Sequence, residues 1–325
     1  MTPLSIPSPP LDWQVIQVGP LAIHVYAIMI LIGIGVGLWI ARRRWVARGG
    51  DPMMIEEFAL WSIPLGIIGG RLYHVISSPS AYFGEGGRPL DALKIWEGGL
   101  GIWGAVALGA LGAYIAARRQ KVSFSAFMDS AAPGILAAQA IGRIGNYFNQ
   151  ELFGGPTTLP WGLEIDPLSP NYPHGYPVGT LFHPTFLYEV LWNIAGVFVI
   201  LYLDRRLKLR FGRAFWLYVM VYTAGRLWIE TVRIDDAVLI HGVRVNVWVS
   251  VLVFLGAAVA FWVIGLRRRG VISEFPAATP ATEQAPAKTG ARASKQAKTA
   301  PSASAGTRGT GKVTRAAGEQ KKPSK

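Results

Sequence analysis

Long apolar runs separated by short polar or basic joints set the pattern of this 325-residue chain. Windows of about 20 apolar residues, enough to cross roughly 30 Å of hydrocarbon, fall at 21–41, 55–77, 98–117, 125–146, 184–203, 213–233 and 245–266. Each is predicted to be a transmembrane helix, which makes the fold class an all-α polytopic membrane protein. The second, fourth and sixth windows are weaker because they carry Arg71, Arg143 and Arg226. Basic residues follow alternate windows: "RRRWVAR" after the first, "RRQK" after the third, "DRRLKLRFGR" after the fifth and "RRR" after the seventh. Lys and Arg collect in short cytoplasmic loops, so these joints are predicted inside, with the N-terminus outside and the C-terminus cytoplasmic. The connection 147–182 has no Lys or Arg, and 78–94 has only Arg88 and Lys94. Nothing basic precedes Arg42, so the first window lacks the n-region of a cleavable signal peptide and is expected to be retained. The predicted organisation is an outer arm (1–20), a seven-helix membrane domain (21–266) and a tail (267–325).

Composition agrees with the pattern: 51% of residues are hydrophobic and 16% charged, and the mean hydropathy is +0.32, values foreign to a soluble domain of this length. The net charge of +13 would suggest nucleic acid if it were spread over the fold. It is not, because the segment from Arg267 onward carries +10 of it. That segment is rich in Ala, Pro, Ser, Thr, Gly and Lys and buries too little to fold. On the cytoplasmic side it would be drawn to anionic headgroups, and no specific nucleic-acid partner is expected.

The chain contains no cysteine, which excludes disulfides, thiolate metal sites and a cysteine nucleophile on the protein itself. Its five histidines form no H-x-x-x-H pair, so no metal or other cofactor is expected. Gly33, Gly35 and Gly37 in the first window, and Gly101, Gly104, Gly109 and Gly112 in the third, are read as packing positions. Lipid tails provide no hydrophobic drive between helices, and small residues let backbones approach.

Charges inside the windows call for partners, since each costs at least about 2.5–3.5 kcal/mol at a helix centre. Tyr222, Arg226 and Glu230 recur at i, i+4 and i+8 and share one helical face; Arg143 and Asn146 share another. Asn149, Gln150 and Glu151 continue the polar run. "HPTFLYE" opens the fifth window, where His183-Pro184 suits a helix start and Glu189 enters the membrane needing Arg143 or Arg226 as partner. Two arginine-bearing faces at the outer end predict a polar cavity open to the outside. Guanidinium forks stay charged when desolvated and donate paired hydrogen bonds to phosphate, so a phospholipid headgroup is the expected ligand. Each piece also has a plain structural reading: Arg226–Glu230 as a packing ion pair, and Arg143 snorkelling to the interface.

These residues resemble a known family. "GRIGNYFNQELFGGPT" is similar to the signature of the bacterial prolipoprotein diacylglyceryl transferases, and the resemblance extends through "AIHVYAIMILIGIGVG", "GGRLYHV", "IWEGGLGIWGAVALG", "HPTFLYE" and "GRLWIETVR", covering about residues 20–265. It implies an inner-membrane enzyme that moves the diacylglyceryl group of phosphatidylglycerol onto the lipobox cysteine of a prolipoprotein, forming a thioether and releasing glycerol 1-phosphate. It implies that Arg143, Asn146 and Gly154 bind phosphatidylglycerol, that Tyr26 is essential, and that Tyr222, Arg226 and Glu230 form a further functional set. The chain departs from the family where "IWGA" puts Trp103 in the place of a histidine proposed elsewhere as general base. His24 and Glu151 are then the candidates for removing the thiol proton. Arg143, Arg226, Tyr26 and His24 are therefore the candidate catalytic residues, and Asn146, Glu151, Gly154, Glu189, Tyr222 and Glu230 the candidate substrate-binding ones. The alternatives from other classes are a transporter or flippase for an anionic lipid, and a scaffold whose basic tail recruits partners.

Overall fold

The structure is a computed structural model that describes residues 5–19, 21–84, 86–95, 98–235 and 237–268. From residue 269 onward the predicted tail lies outside the described residues.

Seven helices of 18 to 25 residues make up the described membrane domain: α1 (Val25–Ala47), α2 (Met54–Ser77), α4 (Ile102–Arg119), α5 (Phe124–Phe148), α6 (Thr185–Leu207), α7 (Arg213–Val232) and α8 (Val245–Arg267). One short helix, α3 (Ser80–Phe83), lies between α2 and α4. Four of the long helices, α1, α2, α6 and α8, are long and apolar enough to cross a membrane. The chain is thus an all-α membrane protein. The helices fall within a few residues of the predicted windows. The main departures are at 21–24 and 98–101, which are not helical. Residues 21–24 instead form strand β2 (Leu21–His24), paired antiparallel with β1 (Val15–Val18), so the predicted N-terminal arm runs into the first window. A smaller hairpin, β3 (Leu239–Ile240) with β4 (Val243–Arg244), stands before α8.

Glycines set the closest helix contacts, largely as expected. A Cβ at Gly33 would meet the Ala138 carbonyl oxygen at 2.9 Å, and one at Gly37 the Gly134 oxygen at 3.1 Å, so this face of α1 lies on α5. Gly35 meets nothing and is not a packing position. On α4, Gly104 and Gly112 press on the α2 backbone at Gly69 and Trp61.

Two apolar clusters pack the helices. Trp45, Ile55, Phe58 and Ala116 join α1, α2, α4 and α5; Leu136, Ile200, Ala214 and Leu217 join α5, α6 and α7. Beside the first cluster lies a charged fastener. Asp129 of α5 is fully buried and accepts hydrogen bonds from the backbone N–H of Gly212 (2.9 Å) and Phe215 (3.0 Å), fixing the start of α7. Arg44 and Arg48 of α1 reach Asp204 of α6 at 3.1 and 3.0 Å. At the other end the connection after α5 packs its own small core of Phe153, Leu163, Ile165 and Phe182.

Arg71, a charge inside the second window, is a local staple. Its guanidinium donates to the carbonyls of Ala92 (2.8 Å), Gly98 (2.6 Å), Gly99 (3.1 Å) and Asp91, and lies over the Tyr82 ring. Backbone oxygens compensate this buried cation, and it organises the connection between α2 and α4.

Candidate functional site

The end of the bundle away from Asp129 gathers most of the candidate side chains. Helix α5 brings Arg143 and Asn146, α6 brings Glu189, and α7 brings Tyr222, Arg226 and Glu230. Glu189 is 6% exposed and lies between the two arginines: Arg143 Nε is 2.5 Å from its Oε2, and Arg226 Nη1 is 3.5 Å from its Oε1. The carboxylate expected to need one arginine has both. Arg226 Nη2 lies 2.7 Å from Glu230 Oε2, the helical i, i+4 contact that the spacing foretold.

The ladder continues through residues that the sequence did not single out. Glu230 Oε1 accepts from Arg244 Nε and from Asn246 Nδ2, each at 2.9 Å, tying α7 to the start of α8. Arg244 also donates to the Arg233 carbonyl (3.0 Å) and meets Asp235 at 3.1 Å, while Arg233 grips Asp235 with two hydrogen bonds of 2.7 and 2.9 Å. Burial alone would raise the pKa of the Asp235 carboxyl. The Arg233 hydrogen bonds and charge, with Arg244 beside them, outweigh burial and hold it below the usual value. A chain of alternating charge thus runs from Arg244 through Glu230, Arg226 and Glu189 to Arg143. A guanidinium at the start of an apolar run, as at Arg244, was the available signal for this half.

On the Arg143 side, Arg143 Nη1 donates to Asn146 Oδ1 at 3.3 Å, and Asn146 Nδ2 donates to Glu151 Oε1 at 2.7 Å. Asn149 Nδ2 adds a second bond to the same oxygen at 3.0 Å. The backbone that presents Glu151 is unusual, because Gln150 (φ 49°) and Leu152 (φ 60°) both adopt the left-handed conformation. Such residues persist only where surroundings over-determine them. Gln150 is buried and bridges the Pro9 carbonyl (2.8 Å) and the Asp166 N–H (2.7 Å), which pins the turn.

Gly154 is a close-approach position. Its N–H donates to the His183 carbonyl at 2.9 Å, and it forms a bridge with Arg233; a Cβ there would sit 2.8 Å from the Val232 oxygen. Tyr26, in the first turn of α1, packs against Gly145 of α5 and lies within electrostatic reach of Glu151 and Arg143. Tyr222 stacks on Tyr218 and, with Glu189, Asn193 and Arg226, lines a narrow recess of only ≈ 10 Å³. Asn193 Nδ2 and Gln139 Oε1 are buried nearby without a hydrogen-bond partner among the described residues.

One candidate stands apart. His24 is the exposed residue preceding α1 and makes no hydrogen bond to the cluster among the described residues. Trp103 is 60% exposed at the start of α4. The expected open cavity is also not what is found. The cluster is largely closed on itself by its own ion pairs, with the side chains of Arg143 and Arg226 only 21% and 18% exposed. A wider, shallow recess of ≈ 610 Å³ between α1 and α2, lined by apolar residues such as Leu38 and Leu60, holds none of the candidate residues.

Apolar helices that converge on interlocked arginines and carboxylates define a multi-pass membrane protein with a charged chamber at one end. Comparison with known proteins narrows the class. The family model described as prolipoprotein diacylglyceryl transferase matches residues 14–263. Phosphatidylglycerol–prolipoprotein diacylglyceryl transferase 2 of Streptomyces coelicolor is 53% identical over 270 residues, covering 82% of this chain and 83% of that protein. The transferases of Frankia alni (54% over 260 residues; 80% and 67% covered) and Rhodococcus jostii (53% over 267 residues; 79% and 74%) are similarly related. The chain belongs to the prolipoprotein diacylglyceryl transferase family.

Proposed function

We propose that this protein transfers the diacylglyceryl group of phosphatidylglycerol to the lipobox cysteine thiol of a prolipoprotein, and that Arg143 and Arg226 hold the lipid phosphate. Family membership favours transfer over the anion-transport reading. The observation that carries the site assignment is the convergence of two guanidinium groups, from α5 and α7, on a single carboxylate. A position that accepts one anion between two arginines suits another, and phosphate oxygens make the same paired hydrogen bonds.

The reaction forms a bond between the acceptor sulfur and the terminal glyceryl carbon and breaks that carbon's bond to the phosphate oxygen. The bonding pair leaves on oxygen, so a singly charged diester becomes a more highly charged monoester, glycerol 1-phosphate. Cations already aimed at the phosphate gain more from the transition state than from the substrate. The thiol proton is lost before or during attack. Nearby arginines lower a thiol pKa, and Glu151 is better placed than His24 to take the proton. It lies in the cluster with one oxygen occupied by Asn146 and Asn149, whereas His24 is exposed. Tyr26 lies within electrostatic reach of Arg143 and Glu151. Tyr222 and Arg226 wall the recess on the α7 side, and Gly154 brings the following loop against His183 and Val232.

We infer that this end faces outside and that seven spans cross the membrane. The basic ends of α1, α4, α6 and α8 gather at the opposite end, as the positive-inside rule requires of a cytoplasmic face.

Arg143→Lys tests the clamp. Lysine keeps the charge and loses the fork, and transfer is expected to fall by about 10²-fold or more while the protein still folds and inserts. Near-normal turnover in a folded Arg143→Lys protein would remove Arg143 from the phosphate site.

A further inference from the structure

Glu189 occupies the position that a bridging anion would take. Its carboxylate is divided between arginines on two different helices, and the two contacts are unequal: 2.5 Å to Arg143 and 3.5 Å to Arg226. Arg226 has a second carboxylate in Glu230, 2.7 Å away, and can release the first without being left unpaired. Arg143 has only Glu189 as an anionic partner among its described contacts, with Asn146 as a neutral one. Behind Glu189, one turn along α6, Asn193 is 3% exposed and keeps an unpartnered amide nitrogen that borders the same recess.

We propose that Glu189 is an internal stand-in for the substrate phosphate: it holds Arg143 and Arg226 together between turnovers, gives up the slack Arg226 contact when the lipid phosphate binds, and returns to expel the phosphomonoester product. The proposal rests on the reading that these two arginines grip phosphate, and it deepens that reading. A carboxylate and a phosphate compete for the same guanidinium donors. Because Glu189 is tethered, it competes at a high effective concentration. Substrate and product feel this competitor differently. The diester carries one negative charge and is also held through its acyl chains in the bilayer, whereas the monoester has lost the chains and carries more charge. Without Glu189, Arg143 would be uncompensated and Arg226 would keep Glu230 alone, and the pair would hold that product more tightly than the substrate and become a trap. A like charge built into the site penalises the more highly charged species most, so Glu189 trades some grip on substrate for release of product. A carboxylate serving only as a helix fastener would leave product affinity unaffected when replaced.

The test uses the full chain in nanodiscs and compares the wild type with Glu189→Gln and Glu189→Asp. Glycerol 1-phosphate is added both in direct binding titrations and as an inhibitor of transfer, and first-turnover and steady-state rates are measured separately. Glu189→Gln is expected to bind glycerol 1-phosphate at least about tenfold more tightly, a change of about 1.4 kcal/mol, with a first turnover that outpaces the later ones. Glu189→Asp keeps the charge, is too short to span both arginines, and is expected to tighten binding by a smaller factor; it carries the test if the Gln variant does not fold. Product binding no tighter than wild type in the folded variants would overturn the stand-in role. Arg143→Lys separates the two levels of the argument. If the wild-type protein binds glycerol 1-phosphate no better than Arg143→Lys does, the phosphate site itself is misassigned. If binding depends on Arg143 and Glu189 substitution does not strengthen it, only the stand-in role falls.

Discussion

Glu230→Gln is the substitution whose cost can be worked most directly from the structure. Glu230 is 0% exposed; its Oε1 accepts from Arg244 and Asn246, each at 2.9 Å, and its Oε2 lies 2.7 Å from Arg226 in an ion pair. Glutamine keeps the shape but loses the charge, and its amide nitrogen must then face one of three donors. Removing one partner from a buried pair costs about 3–5 kcal/mol, because the remaining charge stays desolvated. Two features reduce this. The arginine side chains are 18% and 13% exposed, so water reaches them in part, and Arg244 keeps Asp235. A cost at or below the bottom of that range, about 2–3 kcal/mol, is therefore expected. At about 2–4 °C per kcal/mol for a chain of this size, the unfolding midpoint should fall by about 4–12 °C. Thermal unfolding of the purified protein in detergent, followed by tryptophan fluorescence, measures it. Arg244→Ala and the double variant complete a cycle whose coupling should reach about 1 kcal/mol. A midpoint shift under about 2 °C for Glu230→Gln, with no coupling to Arg244, would refute the claim that the ladder fastens α7 to α8.

Three further outcomes are expected. Trp103→His should leave transfer within about tenfold, or about 1.4 kcal/mol, since Trp103 stands exposed at the start of α4; absolute dependence on the indole in transfer assays would contradict this. Gly104→Ala should cost about 1–3 kcal/mol by overpacking, because its Cβ would press on the Gly69 carbonyl oxygen and lie 2.5 Å from Tyr73 Cβ; an unchanged unfolding midpoint would mean that α2 and α4 can part without penalty. Deleting residues 270–325 should leave transfer intact, whereas loss of activity in the purified truncated enzyme would make the basic tail part of the catalytic machinery.

The sequence disclosed those parts of the protein that are periodic or local. Seven apolar windows anticipated the seven long helices to within a few residues, because bilayer length and helix rise leave little freedom. The i, i+4 spacing of Tyr222, Arg226 and Glu230 gave their shared face, and a lone Glu189 in an apolar helix announced that it had a cationic partner. Contacts between distant segments were not legible. Arg244 and Asn246 lie 14 and 16 residues from Glu230 and close on it through the β3–β4 hairpin, whose pairing the short run 238–244 does not reveal. Asp129, inside a predicted span, was the plainest missed signal: a buried carboxylate must find donors, and it finds the backbone N–H groups at the start of α7, over 80 residues on. Arg71 shows the converse. Its position in a membrane window suggests function, yet its donors go to carbonyls of the connection after α2. Only the fold separates an arginine that staples a loop from one that faces another guanidinium across a carboxylate.

This protein transfers a diacylglyceryl group from phosphatidylglycerol to a prolipoprotein thiol. The most direct measurement combines purified full-length protein in nanodiscs, phosphatidylglycerol labelled in its acyl chains and separately in its headgroup glycerol, and a lipobox peptide bearing either cysteine or serine at the acceptor position. The account predicts that acyl label moves to the cysteine peptide alone while headgroup label appears as glycerol 1-phosphate in equal amount, both dependent on Arg143. Lipid bound in an Arg143-dependent way with no label transferred to either peptide would contradict it.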